Sequence, residues 1–375
     1  MSSSPVDDIH DTAKDTYGAV PNFLEEVNRH SRVLGTAYIE ADEALMGGLL
    51  APTEQQAVLL LISLLHNSRY DAVVHTYMAL DAGLSPQTVT HLLAEEPPQD
   101  AHLRALVEAT YRAHDGSARL GPEMAERFYD KGGSKGELYE VFALYGMKRF
   151  SSFVNHIAEP EVDAPFRKTE EILDTASEEL ADEERQQIAR DLHRQTDGNT
   201  FAPLTNGRGP SPETTRKTAE EAFGFLPNLI DELSEHNPAV AKTYLALGDV
   251  LKDGTLDADD CEVVQLAVST YNGCHYCSSV HSTMGLNLGI DADIVETISE
   301  EGVPSHDRYR PLVEATRLML DKRGWLDEAD LRSLERQGLS RAELYEINAF
   351  IGVKTLSNYV NHVNETPIDP QIDTS

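Results

Sequence analysis

The sequence predicts an all-α protein built from two tandem helical domains, and three observations favour this fold class. Strings of residues recur at one fixed offset in the two halves of the chain. Within each copy, apolar residues follow helical spacing, and no sustained alternation of apolar and polar residues indicates strands. The length of 375 residues also favours two domains, since a domain typically has about 100–200 residues.

The internal repeat keeps a single offset throughout. Pro21-Asn22 recurs as Pro227-Asn228, and 227 − 21 = 206. The same offset joins LVEAT at 106–110 to 312–316, ELYE at 137–140 to 343–346, VNH at 154–156 to 360–362, and Gly146, Lys148 and Ser151 to Gly352, Lys354 and Ser357. Because the alignment needs no gap from Pro21 to His156, the two copies are predicted to share one fold through duplication.

Three segments follow from this repeat: a first domain over 1–163, a helical linker over 164–206 and a second domain over 207–375. Residues 168–195 are highly charged but carry apolar residues at helical spacing, namely Ile172, Leu173, Leu180, Ile188 and Leu192. This pattern predicts an exposed helix or helical hairpin that lies on one domain. The stretch TDGNTFAPLTNGRGPSPE that follows has the Gly, Pro and Asn of a loop.

The segments inside each copy have distinct helical patterns. QQAVLLLISLL and its counterpart CEVVQLAVSTY are mostly apolar, which is typical of a central helix buried on most sides. PLVEATRLMLDKRG and AELYEINAFIGVKTLSNYVNHV carry apolar residues three and four positions apart, as amphipathic helices do. Asp257 and Ser340 precede two of these segments and are predicted N-caps.

The charge balance excludes one class of function. With 31 Lys and Arg against 64 Asp and Glu, the formal net charge is −33. Sequence-independent nucleic-acid binding needs clustered basic residues, and anionic membranes attract them, so neither partner is expected. No segment has the ~18 apolar residues of a membrane helix. The opening residues MSSSPVDDIHDTAK lack the pattern of a signal peptide, so a cytoplasmic location is expected.

The three cysteines, Cys261, Cys274 and Cys277, all lie in one short segment of the second copy. Such a cluster cannot staple a chain of this length, so it indicates redox chemistry or metal binding. Asn272-Gly273 predicts a turn between one helix that ends near residue 271 and another that begins at about Cys274. Cys274, Cys277 and His281 then occupy i, i+3 and i+7, which is one face of the second helix.

This arrangement favours a reactive thiolate. Both sulfur atoms lie in the first helical turn, where the dipole lowers the pKa of a thiol from about 8.5. His281 is placed to take the thiol proton directly or through a water, and Glu262 to accept the other imidazole N–H. Alternative interpretations remain open: Glu262 as a solvated helix residue, or a zinc site made by the two cysteines, His281 and Glu262. Cys261 is interpreted as a buried apolar residue.

The pattern Glu262…Cys274-His275-Tyr276-Cys277…His281 resembles the AhpD-like branch of the carboxymuconolactone decarboxylase superfamily. The string Gly-Phe-Leu-Pro-Asn at 224–228 also resembles the motif that opens domains of this family. The resemblance covers about residues 220–365 and implies an all-α fold. At one position the chain departs from some family members, which have a second His where this chain has Tyr276.

The resemblance implies a chemical role for each residue of the motif. Members of the family reduce peroxides through a Cys-x-x-Cys disulfide and are recharged by a lipoyl or other dithiol donor. By this resemblance, Cys277 attacks the peroxide and becomes a sulfenic acid. Cys274 is the proton donor and the resolving thiol, and Glu262 and His281 form the proton relay.

The first copy does not keep this motif. The offset places Gln56, Ser68, Asp71 and His75 opposite Glu262, Cys274, Cys277 and His281. Because Ser and Asp cannot form a disulfide, this copy cannot perform thiol peroxidase turnover. An acid–base pair of His75 and Asp71 is an alternative to a hydrogen-bonded histidine without a chemical role. The first domain is interpreted as a structural or interface partner.

The expected function is therefore that of an AhpD-like alkylhydroperoxidase, a thiol-dependent peroxidase or disulfide oxidoreductase. It would reduce hydroperoxides through a Cys274–Cys277 pair, without a bound cofactor, and use a lipoyl or thioredoxin-like dithiol reductant. The alternatives are a decarboxylase or lyase that acts on a small acid or lactone with His281 as general acid, and a non-catalytic metal-binding or assembly module. By analogy with single-domain family members, the chain is expected to form a homo-oligomer, with six domains in a trimer.

Overall fold

The computed structural model describes residues 5–17, 19–116, 120–174, 182–193 and 209–372. Within these ranges the secondary structure is helical, with no strand. This confirms the all-α fold class. No helix among the same residues is long and apolar enough to span a bilayer.

The longest helix of the first half is its last one. They are α1 (Pro5–Tyr17), α2 (Asn22–His30), α3 (Arg32–Met46), α4 (Pro52–Leu65), α5 (Arg69–Asp81), α6 (Pro86–Leu93), α7 (Ala101–Gly116), α8 (Pro122–Tyr129) and α9 (Lys135–Ala158). The predicted linker contains α10 (Arg167–Asp174) and α11 (Asp182–His193).

The helices of the second half follow the same order. They are α12 (Pro212–Phe223), α13 (Asn228–His236), α14 (Pro238–Val250), α15 (Ala258–Tyr271), α16 (His275–Leu288), α17 (Ala292–Ser299), α18 (Tyr309–Asp321), α19 (Glu328–Arg336) and α20 (Arg341–Asn364). The bounds of α2, α4, α6 and α9 recur in α13, α15, α17 and α20 at the offset of the sequence repeat, at both ends of each helix. The bounds agree with the repeat, while its origin by duplication stays a prediction.

The predicted caps at two helix starts differ in their hydrogen bonding. Ser340 accepts a bond from the N–H of Glu343 and its own N–H is bonded by the Glu343 side chain, which completes a capping box at α20. Asp257 occupies the N-cap position of α15, but its side chain makes no cap hydrogen bond.

The two halves pack against each other along α9 and α20 and along α3 and α14. Gly146 and Gly352 lie where α9 and α20 cross. A Cβ atom at Gly146 would lie 2.4 Å from the carbonyl oxygen of Gly352, and one at Gly352 would lie 2.7 Å from that of Gly146. Glycine is required at both positions because the helix backbones touch.

Buried polar side chains also join the halves, and they do so reciprocally. Glu140 on α9 accepts the backbone N–H groups of Leu49 and Leu50 in its own half and the Nδ2–H of Asn237 from the other half, at 2.9 Å. Glu346 on α20 accepts the Oγ–H of Ser31 at 3.1 Å. The apolar residues of both halves form one continuous core. The boundaries 1–163, 164–206 and 207–375 stay a prediction.

The two linker helices lie on the first half, where α10 packs on α5 and α11 on α6. Ile188 and Leu192 are buried in this contact, and Tyr77 on α5 meets Phe166 edge-on with ring centroids 5.2 Å apart. The charged side of α11 faces away from the core, as its spacing predicts. Residues 175–181 and most of the predicted loop, 194–208, lie outside the described residues.

Candidate active site

The Cys-x-x-Cys motif lies at the start of α16, after the turn that the sequence predicts. Gly273 has φ of +66°, a left-handed conformation that favours glycine and reverses the chain after α15. Cys274 is the N-cap of α16, and its Sγ accepts a hydrogen bond from the backbone N–H of Cys277 at 3.4 Å. Both thiols are free, and both are at most 2% exposed.

Cys277 has a surrounding that favours its thiolate. Asn361 on α20 donates Nδ2–H to Sγ at 3.2 Å, and Ser357 Oγ lies 3.9 Å away. Burial acts to raise the pKa of Cys277, but hydrogen bonding with Cys274 and the charge of Lys354 outweigh it, and the pKa is well below its usual value. Of the two thiols, Cys277 is therefore the one whose ionisation these contacts favour.

Cys274 has the opposite character. Hydrogen bonding to Cys277 comes first among the causes that raise its pKa, and burial adds to it. Two adjacent thiols lose their protons in coupled steps. Cys274 is the member of the pair that holds its proton more tightly.

Lys354 supplies a positive charge to the site. It lies on α20, is 1% exposed, and donates Nζ–H to Nε2 of His281 at 2.8 Å. Its Nζ also lies 3.3 Å from the hydroxyl of Tyr244. Burial disfavours the ammonium, yet Tyr244 and the Cys277 thiolate hold the pKa of Lys354 above its usual value.

His281 and Glu262 form the pair that their spacing predicts. Nδ1 of His281 lies 2.7 Å from Oε2 of Glu262, and both side chains are buried. Since the ammonium form of Lys354 has no acceptor atom, Nε2 of His281 accepts from it and Nδ1 carries the imidazole proton. The result is a chain of hydrogen bonds that runs from Glu262 through His281 to Lys354.

This chain of hydrogen bonds bears on two expectations from the sequence. The predicted direct transfer of the Cys277 proton to His281 has no hydrogen bond to support it, because both ring nitrogens already have partners. In the zinc alternative, a metal ion would have to replace the Lys354 ammonium at Nε2 of His281. Within the described part of the chain, no group of three or more His, Cys, Asp and Glu side chains is arranged to hold a metal ion.

Cys261 and Tyr276 take no part in the hydrogen-bond chain. Cys261 is buried, its thiol faces the carbonyl oxygen of Leu256, and burial raises its pKa to about 12, so it stays a neutral thiol. Tyr276, at the position where some family members have a second His, donates its hydroxyl to Asp369 at 2.5 Å. Asp369 also accepts the N–H of Asn228, so Tyr276 anchors the Pro-Asn motif rather than a thiol.

The first half has a carboxylate where the second half has Cys277. Asp71 lies 2.5 Å from Nζ of Lys148, the counterpart of Lys354, and accepts hydrogen bonds from Ser68 and Ser152. Burial acts to raise the pKa of Asp71, but Lys148 prevails and lowers it to about 2. The equivalent position in the first half therefore has a carboxylate that is ionised at neutral pH, beside the equivalent lysine.

His75 is hydrogen-bonded, as one of the two interpretations of it holds. Its Nδ1 lies 2.9 Å from Oε1 of Gln56, the counterpart of Glu262. Burial and the charge of Lys148 lower the pKa of His75 well below its usual value. Asp71 accepts hydrogen bonds from Lys148, Ser68 and Ser152, and none of these bonds joins it to His75, its partner in the alternative acid–base pair.

A cavity of about 1080 Å³ opens onto the second site. Cys277, His281, Glu262 and Lys354 all line it, and most of its remaining wall is apolar. The exposed polar residues around it include Thr218 and Asn287. The cavity gives the buried thiolate a space in which a small organic molecule can reach it.

Lys354, Asn361 and Tyr244 are the residues that sequence reasoning missed. A signal for two of them was present in the repeat: Lys148 recurs as Lys354, and the VNH string recurs with Asn361. A lysine kept in both copies on a mostly apolar helix is costly to bury unless it has a partner. This free-energy cost of burying a lysine is the feature of the sequence that could have identified Lys354 as a site residue.

Residues 238–307 match the model of the carboxymuconolactone decarboxylase family. A comparison with curated proteins finds none that matches. One similar solved structure is an uncharacterized peroxidase-related protein from Silicibacter sp. TM1040, with 18% identity, a TM-score of 0.39, and coverage of 44% of this chain and 87% of that chain. Another, an alkylhydroperoxidase AhpD core from Ralstonia eutropha JMP134, also an uncharacterized peroxidase-related protein, has 20% identity, a TM-score of 0.39, and coverage of 43% and 86%. Likeness of this extent says nothing about activity.

The matched segment contains Glu262, Cys274, Cys277 and His281, the residues on which the sequence resemblance depends. It also contains Tyr244, which contacts Lys354. Over residues 238–307, the chain is thus similar to the carboxymuconolactone decarboxylase family.

Proposed function

We propose that the second half of this chain is a thiol-dependent peroxidase in which Cys277 attacks a hydroperoxide and Cys274 resolves the product. The observation that carries the proposal is the buried Cys277 thiol, held as a thiolate by Asn361 and Lys354 at the wall of a large cavity. A thiolate, not a thiol, is the nucleophile in such reactions.

The first step consumes one equivalent of hydroperoxide. The Cys277 thiolate attacks the terminal oxygen of ROOH, an S–O bond forms, and the O–O bond breaks with its electron pair leaving on RO⁻. Lys354, which lines the same cavity, donates a proton to RO⁻ and gives ROH. Cys277 is oxidised to a sulfenic acid and the peroxide is reduced to an alcohol.

The second step forms the disulfide. The neutral amine of Lys354 takes the proton of Cys274, and the Cys274 thiolate attacks Sγ of the sulfenic acid. The S–S bond forms, the S–O bond breaks, and the departing hydroxide takes the proton back from Lys354 as water. The sum is ROOH plus two thiols giving ROH, water and one disulfide.

Glu262 and His281 act in this scheme by positioning. The Glu262 carboxylate fixes the tautomer of His281, and Nε2 then holds the Lys354 ammonium at 2.8 Å. A dithiol donor, either a lipoyl group or a thioredoxin-like protein, would reduce the disulfide and close the cycle. We propose a homo-oligomer as the working form, with a trimer as the form expected by analogy.

The lyase alternative requires His281 as a general acid, and no observation favours it. Both imidazole nitrogens have partners, and the donor on Nε2 is itself a cation. The assembly alternative leaves the thiolate and the cavity without a role. We therefore retain the peroxidase as the single candidate.

The test is oxidation of the reduced protein with one equivalent of cumene hydroperoxide, followed by thiol titration and peptide mapping. We expect loss of two thiols and a peptide in which Cys274 and Cys277 are linked, with Cys261 free. Retention of all three thiols, or a bridge that includes Cys261, would overturn the proposal.

His75→Ala is the matched control for His281→Ala, and the turnover of the two variants is compared. The two residues are equivalent in the two halves, but only His281 contacts Lys354. We expect turnover within about twofold of wild type for His75→Ala, which is under ~0.5 kcal/mol of transition-state free energy. A loss of activity in His75→Ala with the fold intact would locate a working site in the first half instead.

A further inference from the structure

The walls of the second-half cavity come from several helices and the loop after α12. Its apolar lining includes Phe223 at the end of α12, Phe225 in the following loop, Leu245 on α14, Met284 on α16, and Phe350 and Val353 on α20. The catalytic groups occupy one part of this surface. The greater part offers only apolar contact to whatever enters.

The equivalent space in the first half is bridged by two side chains. Tyr17, the counterpart of Phe223, donates its hydroxyl to Asp42, the counterpart of Gly248, at 2.9 Å. Glu40 stands where the second half has Ala246. The second half thus lacks both ends of this bridge: Phe223 is 41% exposed, and Gly248 has no side chain.

Gly248 is not needed for the backbone. It lies within α14, where φ is not in the left-handed region, and a Cβ atom built on it would meet no atom within 4 Å. Glycine inside a helix destabilises it by roughly 0.5–1 kcal/mol relative to alanine. Glycine at position 248 therefore lowers the stability of α14, and it leaves the space beside the helix open.

We infer that Gly248 and Ala246 on α14 determine how large a substituent on the hydroperoxide the site admits, because the second half lacks the bridge that Tyr17 and Asp42 form in the first half. The inference rests on the proposed function. A cavity of about 1080 Å³ is far larger than hydrogen peroxide, a molecule not much larger than water, which occupies ~30 Å³ in the liquid. A large apolar substituent on the peroxide would fill the space and bury its surface against the lining residues.

The test compares two peroxides on one set of variants. The reduced protein is mixed with hydrogen peroxide or with cumene hydroperoxide, and the rate of Cys277 oxidation gives kcat/KM for each. We expect at least a tenfold preference for cumene hydroperoxide in the wild type. Gly248→Leu, which places a side chain in the open space, should reduce this preference at least tenfold.

The matched variant is Gly248→Ser, which adds a small side chain at the same helical position. It should keep most of the preference while changing helix propensity in the same direction as Gly248→Leu. Far-UV circular dichroism and the count of reactive thiols establish that both variants are folded. Ala246→Phe is a second blocking variant on the same wall.

The outcomes separate the two proposals. If neither peroxide oxidises Cys277, the proposed peroxidase function is wrong. If both are reduced at similar rates, or if Gly248→Leu and Ala246→Phe leave the ratio unchanged in folded protein, the peroxidase stands and the assignment of the cavity is overturned.

Discussion

At the scale of the residue, the decisive pair is one lysine and one anion in each half. Nζ of Lys148 donates a hydrogen bond to the carboxylate of Asp71, and the charge of Lys354 acts to lower the pKa of Cys277. A carboxylate is ionised at neutral pH without help, whereas an ordinary thiol with pKa of about 8.5 is not. The equivalent lysines therefore have different roles: Lys148 stabilises the fold in the first half, and Lys354 would create a nucleophile in the second half.

Removal of Lys354 should slow peroxide attack in a pH-dependent way. In Lys354→Met the pKa of Cys277 rises, so the rate at pH 7 should fall at least tenfold, and part of the defect should disappear near pH 9, where a thiol ionises unaided. Stopped-flow rates across this pH range measure the effect. A defect of the same size at both pH values would mean that Lys354 does not act through ionisation of Cys277.

Removal of Lys148 should instead reduce stability. Lys148→Met leaves a buried carboxylate without its cation, which costs about 3–5 kcal/mol, and Lys148→Met/Asp71→Leu should recover much of this loss. Urea unfolding followed by circular dichroism gives both values. Equal stability of the single and double variants would show that the buried charge of Asp71 is not the cause.

The same pair predicts an acid limit. Because the folded-state pKa of Asp71 is about 2, below its unfolded value, its contribution is fully present above pH ~4 and is lost as the pH falls towards 2. The difference in unfolding free energy between wild type and Asp71→Asn should shrink over this window. A constant difference from pH 6 down to pH 2 would contradict the assignment.

At the scale of the element, α9 and α20 position the site through their crossing. Lys354 and Asn361 lie on α20 beyond the crossing point at Gly352, so the closeness of the two helices determines where these side chains meet α16. The helices cross with backbone atoms in contact at Gly146 and Gly352. A methyl group on either glycine must push the helices apart.

Gly146→Ala should destabilise the protein by about 1–3 kcal/mol, the usual cost of an overpacked core position. The matched control is Gly121→Ala, because a Cβ atom at Gly121 meets no atom within 4 Å and its φ of −128° suits any residue. Denaturant midpoints of the two variants measure the contrast. A Gly146→Ala variant as stable as the control would show that the crossing can relax without cost.

At the scale of the whole molecule, the two halves share one core and reciprocal buried hydrogen bonds. Asn237 reaches Glu140 across the junction, and Ser31 reaches Glu346. The single tryptophan of the sequence, Trp325, stacks on His156 of the other half with ring centroids 3.8 Å apart. Its fluorescence therefore reports on the contact between the halves.

Unfolding in urea should be a single cooperative transition. Trp325 fluorescence, which reports on the junction, and far-UV circular dichroism, which reports on all helices, should give the same midpoint. The physical reason is that separation of the halves would expose the apolar faces of α3, α9, α14 and α20. Fluorescence that changes at a lower urea concentration than the helical signal would mean that the halves separate before they unfold.

The sequence alone determined the features that depend on neighbours within a few helical turns, together with the repeat. The helical fold class, the constant offset between the two copies, the turn at Gly273 and the shared face of Cys274, Cys277 and His281 follow from spacing along the chain. The pairing of Glu262 with His281 was also within reach, because the two residues lie on consecutive helices joined by a short turn.

Only the tertiary structure decided which cation faces the thiolate and what space lies before it. Lys354 and Cys277 are far apart in the sequence, and their electrostatic interaction depends on how α20 packs on α15 and α16, which no local pattern specifies. Gly248 and Phe223, which line the cavity, come from different helices and do not form the hydrogen bond that joins their counterparts Asp42 and Tyr17 in the first half. Side-chain periodicity identifies a buried face, but the partner of that face is determined by the packing of the whole chain.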